Sequence, residues 1–148
     1  MPSQNKQIVK RFLNDLWSQG NLAVANEIIA ANHVQHDPAT PNFGKGPDGA
    51  KQIVTLYRSA FPDLHFTIDQ IVDGEDFVTT RYTARGTHKA ELRAIAATNK
   101  TVKVEGIFIS RISRGKIAET WVVWDALGLM QQLGQVPALE KAKAQVAK

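Results

Sequence analysis

Two carboxylates near the end of one predicted strand are the first candidates for chemistry. Side chains alternate along a strand, so Glu119 and Asp125 share one face of the segment 117–125. The same face carries three large apolar residues, Ile117, Trp121 and Val123. We therefore expect this face, with Asp125, to point into a cavity. Burial there would raise the carboxyl pKa towards the range that suits a general acid or base near neutral pH.

Both carboxylates also have structural interpretations. Asp125 precedes Ala126, where a helix is predicted to begin, so its side chain could simply cap that helix. Glu119 could form an ion pair with an arginine instead of taking part in chemistry. A carboxylate of Asp125 that lies in solvent, or that only caps the helix, would exclude the catalytic role.

Histidines supply the candidate proton carriers, because a neutral imidazole is the usual shuttle near pH 7. His33 and His36 lie in a predicted loop, and His88 ends a predicted strand. The spacing of the first two also fits a pair of metal ligands. However, Val34 stands where the zinc-protease motif has a glutamate, and no carboxylate is spaced to complete a zinc triad. We therefore predict that no metal is required.

Polar and aromatic side chains that could contact a ligand form a second group. Arg81 lies in the middle of a predicted strand, where a guanidinium needs a partner or water. It could neutralise Glu105 or Glu119 across the sheet, or bind an anionic group of a ligand. Five aromatic residues could line a pocket, although core packing explains the same residues and is favoured for most of them: Trp17, Tyr57, Phe108, Trp121 and Trp124.

Composition and missing motifs narrow the classes of function. The 148 residues suffice for one domain, and 43% apolar with 22% charged residues is typical of a globular chain. The absence of cysteine excludes thiolate nucleophiles and cysteine-based metal sites. No phosphate-binding loop, GxGxxG element or GxSxG nucleophile motif occurs, which disfavours nucleotide-dependent chemistry. We predict no cofactor.

The distribution of charge and the N-terminal residues indicate which kinds of partner to expect. The formal net charge of +4 is scattered without a basic run, so a nucleic-acid partner is not expected. The first residues lack the apolar segment of a secretion signal, and no stretch approaches the roughly 18 apolar residues of a membrane span. We expect a cytoplasmic protein whose partner is a small molecule, with no membrane partner.

The spacing of apolar residues indicates the elements that must position these residues, and it changes from helical to alternating along the chain. Apolar residues at helical spacing predict a first helix from Ser3 or Asn5 to Gly20, and strict alternation begins at Leu64. Two turns, at 73–76 and 113–116, separate predicted strands. Residues 33–47 are predicted as loop, and 89–100 fit either a short helix or a long connection. Further helices are expected over 21–30, 48–60 and 127–133, and strands over 64–72, 77–87, 102–112 and 117–124.

Helices followed by strands predict an α+β fold. A curved antiparallel or mixed sheet would wrap on the N-terminal helices and leave a cone-shaped cavity, open at one end, that suits a small apolar ligand. We expect one domain over residues 1–148, with a core over about 1–135 and a tail beyond it.

Strand parity predicts that both faces of the sheet are covered. Val102, Val104 and Phe108 share one parity of a predicted strand, and Ile107 and Ile109 share the other. A monomer would expose the second set as an apolar patch, more than soluble monomers usually tolerate. We therefore predict a homodimer that forms through the outer face of the sheet about a twofold axis.

The order and spacing of several short motifs resemble the SnoaL-like polyketide cyclases (predicted ester cyclases) of the nuclear-transport-factor-2-like superfamily, which has a cystatin-like fold. The resemblance covers nearly the whole chain, and no single motif is specific. Its motifs are the His33–His36 loop, Gly46-Pro47-Asp48-Gly49, Phe61-Pro62-Asp63, Arg85-Gly86-Thr87-His88, and Gly115-Lys116-Ile117 through Trp121 to Asp125, with Leu127–Gly134 after it.

The resemblance implies a function and a set of site residues. Members of the family close a polyketide ring by intramolecular aldol condensation without metal or cofactor, with an aspartate at the position of Asp125 that removes and returns the proton. The resemblance also places His36, Arg81 and His88 near the pocket. The predicted catalytic residues are Asp125, His36 and His88, and the predicted ligand-binding residues are Trp17, His33, Tyr57, Arg81, Glu105, Trp121 and Trp124.

Departures from the family pattern leave the substrate open. After His88 the family usually carries a glycine, an aromatic residue and a proline, where this chain has Ala90, Leu92 and Ala96. Two classes of function therefore remain. One is a cofactor-independent cyclase, lyase or isomerase that acts on a small, largely apolar carbonyl compound. The other is a non-catalytic protein that binds a small molecule in the same cavity.

Overall fold

The computed structural model describes residues 3–40 and 43–137, and the predicted α+β fold is confirmed. Five strands form one sheet in the order β1-β5-β4-β3-β2, and helices cover one of its faces. Most of the predicted tail, residues 138–148, lies outside the described ranges. Within these ranges, no helix is long and apolar enough to cross a membrane.

The first helix begins as predicted at Ser3, whose hydroxyl accepts a hydrogen bond from the Lys6 amide at 3.0 Å. Helix α1 spans Gln4–Arg11 and continues without a break as a π-helix over Phe12–Ser18. Gly20 ends it with a positive φ of 70°, a conformation that glycine adopts without strain. A π-helical segment of this kind often marks a functional site.

The first strand was not expected, and the predictions for its residues are wrong. Helix α2 spans only Val24–Ile28, and strand β1 occupies Ile29–His36, where a helix end and a loop were predicted. This strand pairs in parallel with the last strand, with Val34 opposite Glu119 and His36 opposite Trp121. Its polar sequence gives little strand signal by itself, because the strand depends on pairing with a segment more than 80 residues away.

The remaining elements lie close to their predicted ranges. Both predicted turns are present, at 73–76 and 113–116. The segment 89–100 contains one bridge, between Leu92 and Ile95, and no helix. Helix α3 starts two residues earlier than predicted, because Pro47 fits its first turn. The elements are α3 (Gly46–Ala60), β2 (His65–Gly74), β3 (Phe77–Thr87), β4 (Thr101–Ser113), β5 (Lys116–Trp124) and α4 (Ala126–Gln132).

The core lies between the helices and one face of the sheet, called here the inner face. The first helix packs against β2, β3 and β5, and α3 packs against β1. The parity predicted for β4 is confirmed: Val102 and Phe108 are buried on the inner face, whereas Ile107 and Ile109 are 45% and 40% exposed on the outer face.

The parity predicted for β5 is wrong beyond its first residue. Arg111 pairs with Glu119, but the next residue of β4 pairs with Ile117, so Ala118 is one extra residue in β5. Such a bulge reverses the alternation that follows it. Ile117 is buried as predicted, but Val123 is 71% exposed. The residues that face inward after the bulge are Thr120, Val122 and Trp124.

Candidate active site

An aromatic cavity lies between the inner face of the sheet and the helices. Its empty volume is about 600 Å³, a figure that includes open solvent at the mouth. Almost all of its wall is apolar. Seven aromatic residues contribute to it: Trp17, Tyr57, Phe61, Phe66, Tyr82, Phe108 and Trp124.

One carboxylate, that of Asp37, lies on the wall of this cavity. The alternation of β1 places His33 and Gln35 on the inner face, and Asp37 follows directly after the strand end. The side chain of Asp37 is held by three donors. The Trp124 indole N–H lies 3.3 Å from both oxygens, the Ala39 amide 2.8 Å from Oδ1, and the Thr40 hydroxyl 2.7 Å from Oδ2. Asp37 as a whole is only 7% exposed.

Two phenols share the cavity with this carboxylate. Burial is the main reason why the pKa of Tyr57 is raised to about 12; the charge of Arg93 opposes this shift and that of Asp37 adds to it. Burial also raises the pKa of Tyr82, with Asp37 and Tyr57 adding to the effect. Both phenols therefore keep their protons near neutral pH and can act as hydrogen-bond donors.

The backbone of β4 makes room for the second phenol. A Cβ at Gly106 would lie 2.4 Å from the Tyr82 hydroxyl and 2.7 Å from Cβ of Trp124. Glycine at this position therefore allows both aromatic side chains to cross the inner face of β4. The Tyr82 ring stacks on Phe108 with centroids 4.9 Å apart, and the Tyr57 ring meets Trp124 edge-on at 5.9 Å.

This arrangement can perform proton transfer on a carbon acid. A carboxylate in apolar surroundings can accept a proton from a carbon next to a carbonyl group, and protonated phenols can stabilise the negative charge that develops on the carbonyl oxygen. Within residues 3–40 and 43–137, no three His, Asp or Glu side chains are grouped so that they could hold a metal ion.

The prediction that Asp125 faces the cavity is wrong. Its side chain is exposed and caps α4, where Oδ1 accepts a hydrogen bond from the Gly128 amide at 2.8 Å. Asp125 is not part of the cavity wall. The physical reason is the bulge at Ala118, which reverses the side-chain direction along the rest of β5.

His36 and Trp121, also predicted in the site, lie instead on the outer face of the sheet. His36 Nε2 is 2.7 Å from a carboxylate oxygen of Glu119, whose other oxygen is 3.4 Å from Arg111. These partners lower the pKa of Glu119, the hydrogen bond from His36 most of all. The His36 ring stacks on Trp121 at 5.4 Å. The alternative of an ion pair for Glu119 is therefore the observed one.

Arg81 and Glu105 are likewise outside the cavity. Both side chains are exposed on the outer face, and the Arg81 guanidinium lies 3.8 Å from the Asp69 carboxylate on β2. Arg81 is thus paired, but with neither Glu105 nor Glu119 as the sequence suggested. Three predicted ligand-binding residues do line the cavity: Trp17, Tyr57 and Trp124.

His33 and His88, the other two histidines predicted in the site, are buried but are not on the cavity wall. His33 Nε2 is 2.9 Å from the Thr120 hydroxyl. His88 Nδ1 accepts a hydrogen bond from the Thr98 amide at 3.2 Å, and its ring packs on Phe61, which does line the cavity. His88 is therefore placed behind the wall, where it supports Phe61 and the segment 89–100.

Burial of His33 predicts an acid-sensitive fold. Burial lowers the pKa of His33 from 6.5 to about 4. Between these values the unfolded chain binds a proton that the folded protein excludes, so the free energy of unfolding decreases as the pH falls, by up to about 3 kcal/mol. We expect urea unfolding of His33→Gln, which can keep the bond to Thr120, to depend less steeply on pH in this window. Equal pH dependence of the two proteins would contradict this assignment.

Sequence reasoning missed four polar residues of the cavity wall: Gln35, Asp37, Tyr82 and Arg85. Tyr82 alternates with Thr80 and Ala84 along β3, and that pattern was available in the sequence. Gln35 and Asp37 were hidden because their segment was predicted as a loop. A strand over this segment would have placed His33, Gln35 and Asp37 on one side.

The fold and the cavity define a class of small α+β proteins in which one sheet and its covering helices enclose a cavity. The family model of the SnoaL-like polyketide cyclases matches residues 7–133. The chain therefore belongs to the SnoaL-like polyketide cyclase family, as its motifs predict. No curated protein matches the chain significantly.

Solved structures agree with this assignment. A protein from Acidithiobacillus ferrooxidans, assigned as a polyketide cyclase, is 30% identical with a TM-score of 0.82, over 91% of this chain and 97% of that chain. IdmH from Streptomyces antibioticus, also assigned as a polyketide cyclase, is 28% identical with a TM-score of 0.78, over 89% and 99%. TsrD from Streptomyces laurentii is 26% identical with a TM-score of 0.81, over 90% and 96%.

Proposed function

We propose that this protein is a cofactor-independent enzyme of the cyclase or isomerase type that moves a proton on a small, largely apolar carbonyl compound. Family membership supports the type of function. The observation that carries the chemical proposal is the carboxylate of Asp37, which lies on a largely apolar, aromatic wall beside two protonated phenols. Asp37 takes the role that the sequence suggested for Asp125.

The proposed reaction begins when an Asp37 oxygen accepts a proton from the carbon next to a ligand carbonyl. The electron pair of the broken C–H bond forms the C=C bond of an enolate, and the carbonyl oxygen takes the negative charge. The hydroxyl of Tyr57 or Tyr82 donates a hydrogen bond to that oxygen. In a cyclisation the enolate carbon attacks a second carbonyl of the same molecule, and the proton held by Asp37 goes to the new alkoxide.

Proton transfer can be tested without knowledge of the natural substrate. We expect the protein to accelerate exchange of the α-hydrogens of an aryl β-keto ester, such as ethyl benzoylacetate, for deuterium in D2O at mildly acidic pD. The measurement is the loss of the α-proton NMR signal. The rate should saturate with the ester and return to the spontaneous rate after heat denaturation of the protein.

A non-catalytic binding protein is the second candidate, and one observation favours it. The three protein donors already occupy the Asp37 carboxylate, as they would if its only role were to hold the segment 37–40 against Trp124. Saturable binding of the ester with no acceleration of exchange would support this function and exclude the proton-transfer proposal. The expectation of a cytoplasmic location stays a prediction.

We further propose that a second copy of the chain covers the outer face. Ile107, Ile109 and Val123 are exposed there as neighbours on β4 and β5, and Phe77 is 44% exposed beside Trp121. Side chains of both charges lie around this patch, among them the Arg81–Asp69 and Arg111–Glu119 pairs. An apolar centre with both signs at its rim suits a self-complementary twofold contact.

Light scattering should therefore give twice the 16.3 kDa mass of one chain. We expect Ile109→Glu to yield the monomer, because a charge on each copy would be buried at the centre of the contact. Leu127→Glu is the matched control, since Leu127 is 53% exposed on α4 rather than on the sheet. A wild-type mass near that of one chain would show that the dimer proposal is wrong.

A further inference from the structure

One residue of the cavity wall carries a buried hydrogen-bond donor that has no partner among the described residues. The indole nitrogen of Trp17 is buried without a hydrogen bond among the described residues, although its ring is part of the wall. Other buried side-chain atoms without a partner, on Thr80, Ser110 and His88, belong to residues that do not line the cavity. An unpaired buried donor is destabilising, and most buried polar groups in native structures have a hydrogen-bond partner.

The fold holds Trp17 firmly in this position. The residue lies in the π-helical segment, and its carbonyl oxygen accepts a hydrogen bond from Arg58 of α3 at 3.0 Å. Its ring packs on Phe66 at 5.1 Å and near Tyr57 at 6.2 Å. A phenylalanine would fill much of this volume without leaving an N–H group unpaired. Packing of the apolar ring therefore does not account for the N–H group at this position.

We infer that the Trp17 indole N–H binds an oxygen of the ligand and so positions it against Asp37, an inference that rests on the proposed function. The Tyr57 ring lies between Trp17 and Trp124, whose N–H contacts Asp37. The preferred ligand thus carries one carbonyl group near Asp37 and a second oxygen towards Trp17. Because the nitrogen itself is buried, the indole ring must turn slightly into the free volume of the cavity to form this bond. Trp17 is a positioning residue in this scheme and not a proton carrier.

A matched pair of probes tests the inference independently of catalysis. 1,4-Diacetylbenzene carries an oxygen at both ends, and 1,4-diisopropenylbenzene has nearly the same shape with CH2 in place of each oxygen. In protein labelled with 15N at its tryptophans, we expect the diketone to move the Trp17 indole N–H resonance downfield and the hydrocarbon to leave it without a downfield shift. Trp17→Phe identifies the resonance.

Affinities provide the second measurement. Trp17→Phe should weaken binding of the diketone by about five-fold more than binding of the hydrocarbon, since one neutral hydrogen bond contributes about 1 kcal/mol. Trp121→Phe, a change of the same type on the outer face, should alter neither affinity. The absence of a larger loss for the diketone overturns the inference. So does an unmoved Trp17 resonance, since the diketone would then have bound without a hydrogen bond from the indole N–H.

The two proposals fail separately. If the wild-type protein did not accelerate exchange but still showed the diketone-specific effects at Trp17, Asp37 would be excluded as a base and Trp17 kept as an anchor. If Trp17→Phe left exchange catalysis unchanged and weakened the binding of both probes equally, Trp17 would be excluded as an anchor and Asp37 kept as the base.

Discussion

Replacing Asp37 with asparagine should lower the rate of α-deuterium exchange at least about 100-fold, because a neutral amide cannot accept the proton and general-base catalysis commonly contributes this much. The amide oxygen of the introduced side chain can still accept one of the present hydrogen bonds, from the Trp124 indole or the Thr40 hydroxyl. We therefore expect the affinity for a non-reacting ligand such as 1,4-diacetylbenzene to change much less than the exchange rate.

Asp125→Asn is the matched control for this variant. It makes the same chemical change at the carboxylate that caps α4, outside the cavity wall. The expected cost is about 1 kcal/mol or less of folding free energy, with little effect on exchange, because asparagine is also a good N-cap residue. If Asp125→Asn lost exchange activity and Asp37→Asn kept it, the assignment of the base would be reversed.

Replacing Arg58 with methionine should lower the free energy of unfolding by about 3 kcal/mol, since several charge-assisted hydrogen bonds are lost at once. The guanidinium donates to four carbonyl oxygens at 2.8–3.0 Å. Two of them, of Trp17 and Ser18, belong to the end of the first helix, where carbonyl groups have no partner within the helix. The other two, of Pro62 and Leu64, precede β2.

Urea unfolding of three variants separates the hydrogen bonds from the charge. Arg58→Lys keeps the positive charge but cannot reach the four oxygens in one geometry, so we expect an intermediate loss. Arg85→Met removes an exposed arginine from β3 and should change the stability by less than about 0.5 kcal/mol. If Arg58→Met were as stable as the wild type, the four hydrogen bonds of the Arg58 guanidinium would not contribute to folding.

Much of the fold could be predicted from local pattern. The hairpins β2–β3 and β4–β5 follow from strict alternation and from turns with Asp73-Gly74 and Arg114-Gly115, which need no information from distant parts of the chain. The first helix follows from its apolar face and its Ser3 cap. The family assignment, now confirmed over residues 7–133, rested on the order of short motifs.

Strand β1 could not be predicted in this way. For the same reason, the place of the Asp37 carboxylate in the cavity could not be predicted. The sequence of β1 contains His33 and His36 and is followed by Pro38, so its composition resembles a loop. It forms a strand because β5 offers a free edge for parallel pairing. Asp37 reaches the cavity only through that long-range contact.

The direction of the last strand was decided by a single residue. The sequence alone determined that 117–124 is a strand and that its alternate residues oppose each other. It did not determine which set faces inward, since that depends on whether Ala118 pairs with β4 or is left as an extra residue. In the folded sheet Ala118 is the extra residue, so Trp124 faces the cavity and Asp125 the solvent. A bulge forms where neighbouring strands must match in register, and register is a property of the assembled sheet.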